Sequence, residues 1–171
     1  AKNQNLRGFS EDAYTHHINR LMVLSNWATL LDVSPRALTD WFWVGFEDAY
    51  DWVVEPNVLG MGTFALGERM VTKPYVSGSA YISKMSDYCD GCAFHPKKDC
   101  PMTSLYWDFL RRNKDALASN PRMRIVMASL ARRASERVRS DEAVADRVRG
   151  GLRRNETMNP TRLYPAFEKT S

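Results

Sequence analysis

A chain of 171 residues, 44% of them hydrophobic, is long enough to fold as one domain with a buried core. No apolar run approaches the roughly 20 residues of a membrane-spanning helix, and a net charge of +4 permits a nucleic-acid partner without demanding one. Three cysteines without a secretory signal do not indicate a disulfide framework. We therefore expect a soluble chain of a reducing compartment, such as a cytoplasm or an organelle matrix.

The predicted elements are helical along the whole chain. Ser10 begins the first helix as a capping residue, and Ser34-Pro35 begins the second. Apolar periodicity and helix-breaking residues predict helices over residues 11–32, 35–54, 78–87, 101–117 and 121–138, and a last helix that starts at Ser140 and stops at Gly150-Gly151. The sequence thus predicts an all-α helical bundle.

Two irregular segments are expected between these helices. Pro56 ends the second helix, and the glycines at positions 60, 62 and 67 predict a flexible loop after it. Residues 63–71 allow one small β-hairpin. From Arg132 onward the chain is rich in arginine, but interspersed acids favour a solvated helix surface over a phosphate-binding face.

The first two helices carry charged residues among aromatic ones. His16, His17 and Arg20 lie on the first helix. The second contains Glu47, Asp48 and Asp51 between many aromatic residues. Acids in apolar surroundings need partners, for which Arg20 or a polar cofactor group is suitable. The alternative is that the acids form the one hydrated stripe of their helix.

All three cysteines fall within twelve residues. Cys89 and Cys92 form a C-x-x-C turn, and Cys100 directly precedes Pro101. Three thiolates suit an iron–sulfur cluster with one ligand from elsewhere. With His95 they suit a Cys₃His zinc site, because structural zinc takes sulfur and nitrogen ligands. Free or buried loop thiols, with a solvated His95, are the third interpretation.

Four strings in order carry a family resemblance: AYTHHINRLMV (13–23), DAYDWVVEPNVLGM (48–61), TKPYVSGSAYISKMSDYCDGC (72–92) and CPMTSLYWDFL (100–110). Together they resemble the C-terminal part of the iron–sulfur bacterial cryptochromes and photolyases. The resemblance implies an all-helical domain that binds FAD and a [4Fe–4S] cluster. It also implies light-driven repair of pyrimidine photoproducts that are flipped out of the DNA duplex.

The resemblance assigns roles residue by residue. It implies that His17 faces the lesion as a proton donor, with Tyr75 beside it in the lesion pocket. It implies three cluster ligands, Cys89, Cys92 and Cys100. The implied cofactor-binding residues are Trp41 on the electron path, Met61 near the lesion, and Asp48 and Asn57 beside the flavin.

The chain also departs from the family pattern. The family's α/β antenna domain and the first part of its helical domain have no counterpart here. The fourth cluster cysteine would fall at or before Ala1, and Val54 stands where relatives often carry glutamate. We expect a cluster-bearing core over residues 1–118 and C-terminal helices with a tail over residues 119–171.

Three functions are compatible with this pattern. The first is a photolyase or cryptochrome domain that binds damaged DNA. The second is a catalytically silent accessory subunit, whose aromatic face is covered by another protein chain or a missing domain. The third, a small zinc-bound nucleic-acid module, is disfavoured because the basic surplus is small and mixed.

Overall fold

The computed structural model of the chain describes residues 13–164. Its α-helices span His17–Asn19, Asn26–Leu30, Pro35–Gly45, Asp51–Val54, Ser79–Met85, Pro101–Arg112, Lys114–Leu117, Arg124–Ala131, Ser135–Arg153 and Pro160–Leu163. Short 3₁₀ turns lie at Gly67–Arg69 and Pro121–Met123. No strand occurs within the described range, which confirms the all-α prediction.

Two π-helical segments interrupt the α-helical geometry. The first π segment, Arg20–Ser25, joins two short α-helices, and the second, Glu55–Gly62, continues the helix Asp51–Val54. The wider turn is visible in backbone bonds that reach five residues back, as from Thr63 N–H to the Val58 carbonyl at 2.9 Å. Such segments store an extra residue in a helix and are frequent at functional sites.

The contacts of the chain form two compact units. The first unit contains residues 13–77 and 120–123, and the second contains residues 78–119 and 124–164. The division between residues 118 and 119 that the sequence suggested stays a prediction.

In the first unit the core is a cluster of buried apolar side chains: Ala28, Leu38, Phe42, Phe46, Val54 and Val58. Ser34 caps the helix Pro35–Gly45 by accepting from the N–H of Ala37 at 3.5 Å. Phe42 and Phe46 stack with ring centroids 5.1 Å apart. The chain turns extended at Phe46, which keeps this ring buried. The predicted continuous helix 35–54 is therefore divided after Gly45.

The second unit is built around two long helices. Pro101–Arg112 packs along Ser135–Arg153, and Leu105, Leu110, Val144 and Val148 are fully buried. The prediction that Ser140 starts the last helix and that Gly150-Gly151 stops it was wrong. The helix ends instead before Asn155, whose φ of 55° supplies the left-handed residue that often terminates a helix.

Three more predictions need correction. Within the described residues the first helix begins at His17, and residues 13–16 before it are not helical; residue 11 and the predicted cap Ser10 lie outside the described residues. Pro56 does not end a helix, because the backbone continues through it from Asp51–Val54 into the π segment Glu55–Gly62. The hairpin over residues 63–71 is replaced by turns in which Phe64 and Gly67 both have positive φ.

Candidate functional site

The two π segments line one pocket in the first unit. Its walls are His17, Arg20, Leu21, Ser25, Phe42, Val53, Val54, Asn57 and Val58. The polar lining residues are contributed by the first helical run and by the second π segment, while Phe42, Val54 and Val58 belong to the apolar core. The sequence assigned His17 and Asn57 to the site, and the structure brings both to this pocket.

His17 is positioned by the start of its helix. The preceding residue, His16, is the N-cap, and its Nδ1 accepts a hydrogen bond from the N–H of Ile18 at 3.2 Å. The N–H of Arg20 bonds to the His16 carbonyl at 3.1 Å. One histidine of the pair therefore closes the helix end, and the other is an exposed ring at the pocket.

Arg20 is the most constrained cation of this pocket. Its Nε donates to the Thr15 carbonyl at 2.7 Å, and its two terminal nitrogens meet both carboxylate oxygens of Asp48 at 2.8 and 3.0 Å. Its guanidinium also lies over the rings of Phe46 and Tyr14, 4.2 and 5.2 Å from their centroids. Of the partners that the sequence allowed for the acids, Arg20 is the one that pairs with Asp48.

Ser25 is a site residue that the sequence analysis missed. Its side chain is only 1% exposed, and its Oγ has no hydrogen-bond partner among the described residues. It packs against Gly62, where an added Cβ would lie 3.0 Å from Ser25 Cβ. A buried hydroxyl without a partner is costly, so this lining atom fits a polar group that the pocket would receive. Nothing in the sequence distinguishes this serine from other helix serines.

The remaining predicted residues lie near the pocket wall or outside it. Asp48 acts on the pocket through Arg20 and is half exposed. Trp41 packs edge-on against Phe42 and Phe46, with part of its ring exposed. Met61 is half-buried in the second π segment. None of these three side chains lines the pocket itself.

Tyr75 lies in an irregular segment that one amide anchors. The fully buried Asn26 donates to the Ser77 carbonyl at 3.2 Å and to its Oγ at 3.0 Å, and accepts from its N–H at 3.0 Å. Tyr75 is half-buried two residues earlier, and it does not line the pocket. Its role in a lesion pocket therefore stays a prediction.

The pocket is narrow. It holds about 30 Å³, enough for water-sized groups, whereas pockets for drug-sized ligands are roughly 300 to 1,000 Å³. The described residues therefore fit the polar edge of a bound group through Ser25 and Asn57, and they do not enclose a flavin ring by themselves. Asn57 Nδ2 already donates to the Val53 carbonyl at 2.7 Å, which leaves its oxygen as the acceptor available to a ligand.

The cysteines lie on two ordered turns of the second unit. The N–H of Cys92 bonds to the Cys89 carbonyl at 3.2 Å, and Gly91 provides the positive φ of 68° that this turn requires. The N–H of Cys100 bonds to the His95 carbonyl at 3.1 Å. All three thiols are free, and Cys92 is the most exposed.

The electrostatics of Cys100 connect the three thiols. Burial raises the pKa of the Cys100 thiol, bonds with Met102 N–H and the Ser79 hydroxyl oppose this, and the charges of Cys89 and Cys92 add to the rise. The sulfurs thus lie within each other's field. The donor chemistry fits a thiolate-bound metal centre, although no three His, Cys, Asp or Glu side chains within residues 13–164 are gathered as a metal-binding group.

His95 holds a turn rather than standing free in a loop. Its Nδ1 accepts from the N–H of Lys97 at 3.2 Å, its own N–H donates to Asp99 Oδ1 at 2.5 Å, and its carbonyl accepts from three following N–H groups. The histidine therefore organises the segment between Cys92 and Cys100, a role that the sequence did not indicate.

Comparison with known proteins supplies the family. The chain is 48% identical over 136 residues to a (6-4) photolyase of Agrobacterium fabrum, a match that covers 77% of this chain and 27% of that protein. It is 35% identical over 98 residues to an uncharacterised protein of Acanthamoeba polyphaga mimivirus, of which the match covers 73%. The chain belongs to the photolyase and cryptochrome family. No protein-family model matches it.

This photolyase-family chain spans about a quarter of the length of the Agrobacterium protein, 27% by the aligned residues. The 48% identity confirms, at the level of the family, the resemblance that the four sequence strings indicated. Within residues 13–164, no helix is both long enough and apolar enough to cross a bilayer.

An aromatic surface distinguishes the first unit. Val44 is 87% exposed and Trp52 is 74% exposed, and Trp43 and Tyr50 are also open to solvent. Tyr50 and Trp52 stack in parallel, with ring centroids 4.9 Å apart. Exposed apolar residues that lie together typically mark an interaction surface.

Proposed function

We propose that this chain contributes the lesion-facing pocket of a light-dependent DNA photolyase. The observation that carries the proposal is the pocket in which His17, Arg20 and Asn57 surround the unpartnered hydroxyl of Ser25. The 48% identity to a (6-4) photolyase supports a photoproduct in DNA as the substrate. A lesion must leave the base stack to reach such a pocket.

In this proposal His17 handles a proton. Its imidazole lines the pocket, where a ring nitrogen donates a proton to the extruded base. An imidazole is suited to proton transfer near neutral pH. Arg20 keeps its guanidinium in a fixed position beside His17, because Asp48 and Thr15 bond to its three nitrogens. Asp48 is therefore a positioning residue, and Tyr75 and Met61 are assigned to the lesion side.

FAD, when bound, would supply light absorption and the electron for repair. The residues that would contact it here are Asn57, through its carbonyl oxygen, and Trp41, through its exposed ring edge. The other walls of a flavin site must come from groups that do not line this pocket, since its enclosed volume is about 30 Å³.

The thiols support a second cofactor. We propose that Cys89, Cys92 and Cys100 bind a [4Fe–4S] cluster whose fourth ligand lies outside residues 13–164. Burial raises the pKa of the Cys100 thiol, and iron must displace the proton of this thiol. Loading of the cluster should therefore weaken as pH falls. Anaerobic purification of the unmodified chain should give about four irons per chain. The variant with serine in place of all three cysteines should lose this iron. Zinc as the only metal would contradict the proposal.

Repair tests the pocket directly. The chain is mixed with FAD, a reductant and a duplex that carries one (6-4) photoproduct, illuminated with blue light, and the restored strand is quantified. The matched variants are His17→Asn and His16→Asn, because asparagine removes either imidazole but preserves a cap at position 16. We expect His17→Asn to lose about 100-fold in rate and His16→Asn to stay within about 2-fold. Equal rates for the two variants would contradict the proposal.

The aromatic surface favours a second candidate, an accessory subunit of a larger assembly. Its exposed rings are suited to contact another protein chain. Sedimentation velocity tests this candidate. If the chain is an accessory subunit, Trp52→Asp should abolish association, and Ile125→Asp, at another exposed apolar position, should not. A monomer with full repair activity would remove the accessory function from consideration.

A further inference from the structure

The second unit contains a basic cleft beside Cys100. It has a volume of about 320 Å³ and is lined by Ala80, Pro96, Lys97, Lys98, Cys100, Thr103, Ser104, Arg133, Arg137, Ser140, Asp141 and Tyr164. Four of these residues are cationic and one is a carboxylate. This cleft is composed of different residues from the pocket of the first unit.

The carboxylate does not neutralise the whole cleft. Asp141 accepts from Arg133 Nε at 2.6 Å, and Arg133 also lies over the Trp107 ring at 4.5 Å. This arginine and this carboxylate therefore cancel each other. Lys97, Lys98 and Arg137 make no ion pair within the described part of the chain, and all three are exposed.

The lysines stand on a rigid turn. The His95 carbonyl accepts from the N–H groups of Lys98, Asp99 and Cys100 at 3.1, 3.2 and 3.1 Å, and His95 Nδ1 accepts from the N–H of Lys97. Asp99, the nearest other acid on this turn, accepts from the His95 N–H. The cations are thus presented by ordered backbone, which lowers the conformational cost of binding an anion.

The lining residues from the other elements are also ordered. Arg137 and Ser140 belong to the long helix Ser135–Arg153. The Ser79 and Thr103 hydroxyls are 2.5 Å apart and Ser79 donates to the Pro96 carbonyl at 2.5 Å, so both of these protons are used within the protein. The groups that remain for an anion are the cations from the turn and from the long helix, and charge-assisted donors of this kind suit phosphate oxygens.

We propose that this cleft binds the phosphodiester backbone of DNA, with Lys97 and Lys98 on one side of the strand and Arg137 on the other. The proposal rests on the DNA substrate of the proposed function and adds a contact surface remote in sequence from the lesion pocket. Phosphate contacts fix the register of a protein on DNA without reading its sequence. This cleft would therefore bind damaged and undamaged duplexes alike.

The test uses fluorescence anisotropy with a labelled undamaged duplex at several salt concentrations. The cleft variant is Lys97→Ala, Lys98→Ala and Arg137→Ala together. Its matched control is Lys84→Ala, Lys114→Ala and Arg153→Ala, which removes the same charges from exposed positions outside the cleft. Each lost phosphate contact should flatten the dependence of log K on log salt by about 0.9.

We expect the cleft variant to bind the duplex at least about 10-fold more weakly, with a salt slope lower by about 2 to 3, and the control to change little. The variant Lys97→Arg, Lys98→Arg and Arg137→Lys should recover the affinity. Equal losses in the cleft variant and its control would overturn the proposal. Micromolar binding of inorganic phosphate, lost in the cleft variant while duplex affinity is kept, would also overturn it and assign the cleft to a small anion.

The same assay separates this proposal from the proposed function. With a photoproduct-bearing duplex, the cleft variant should lose affinity for damaged and undamaged DNA by the same factor. His17→Asn should reduce only the preference for damaged DNA. If the unmodified chain shows no preference for damaged DNA while the cleft variant still binds more weakly, the photolyase pocket alone is refuted. If the preference is present but the cleft variant binds like its control, the cleft alone is refuted.

Discussion

The two units hold their buried polar groups in different ways. In the second unit, Asp108 is 2% exposed and accepts from Arg149, Arg111 and Arg112 at 2.7 to 2.8 Å. In the first unit, the buried hub is the neutral Asn26, whose side chain bonds to Ser77. One hub depends on charge and the other does not.

The carboxylates of the two units also differ in how they are paired with arginine. Asp108 is surrounded by arginines, and both of its carboxylate oxygens are paired with them inside the fold. Asp48 is 49% exposed and holds one arginine at the edge of a pocket. We interpret the saturated carboxylate as structural and the half-exposed one as a device that aims Arg20 at a ligand.

The largest expected effect is that of Asp108→Asn. It keeps the side-chain shape and leaves three arginines around a neutral group, and breaking a buried ion pair typically costs about 3–5 kcal/mol. Urea denaturation followed by circular dichroism measures the loss. Asp146→Asn is the matched control, because Asp146 is exposed and lies 3.7 Å from the same Arg149. A loss below about 1 kcal/mol for Asp108→Asn would remove the charged hub from the account.

The neutral hub should give the next largest effect. Asn26→Ala leaves the Ser77 N–H and carbonyl without their partner, and we expect a loss of about 2–3 kcal/mol in the free energy of unfolding. Asn113→Ala serves as the control, since the Asn113 amide bonds only to the Phe109 carbonyl of its own helix. Equal losses in both variants would mean that Asn26 anchors nothing beyond its own helix.

Acid should affect the two buried hubs, Asp108 and Asn26, differently. Burial acts to raise the pKa of Asp108, but hydrogen bonds from Arg149, Arg111 and Arg112 outweigh it and hold the pKa below its ordinary value. The stabilisation is therefore complete above the unfolded-state pKa of about 3.9 and is lost as pH falls through the lower folded-state pKa. Asn26 does not titrate. We expect Asp108→Asn to flatten the decline of stability below about pH 4, and Asn26→Ala to leave its shape unchanged.

The smallest effect on stability should come from Asp48→Asn. A half-exposed pair is worth about 1 kcal/mol or less, so unfolding should barely change. Because Arg20 loses its anchor, binding of a photoproduct duplex should nevertheless weaken by about 3- to 10-fold. Arg36→Gln is the control, since it removes exposed pairs with Asp40 and Glu55 outside the pocket. A stability loss as large as that of Asp108→Asn would contradict the distinction between the two carboxylates.

Several features were predictable because they depend on local pattern. Apolar periodicity located the helices Ser79–Met85 and Pro101–Arg112 to within a few residues, except where helix ends depend on single backbone angles. Arg20, one of the partners that the sequence offered for the acids among the aromatic residues, pairs with Asp48. The motif strings indicated the family, and His17 and Asn57 reached a common pocket.

Other features depend on tertiary contacts that one sequence does not display. Gly60 and Gly62 suggested a loop, but Gly62 permits the approach of Ser25, and the segment is a π-helix. The unpartnered state of Ser25 is likewise a result of packing. Arg137 suggested a solvated helix face, because its cleft partners Lys97 and Lys98 lie some forty positions earlier in the chain.

The central claim is that the pocket between the π segments recognises a DNA photoproduct. The most direct test is the dark affinity of the unmodified chain for a duplex with one (6-4) photoproduct, measured against the same duplex undamaged. The account predicts a preference of at least about 10-fold that His17→Asn abolishes and His16→Asn retains. Equal affinity of the unmodified chain for both duplexes would contradict it.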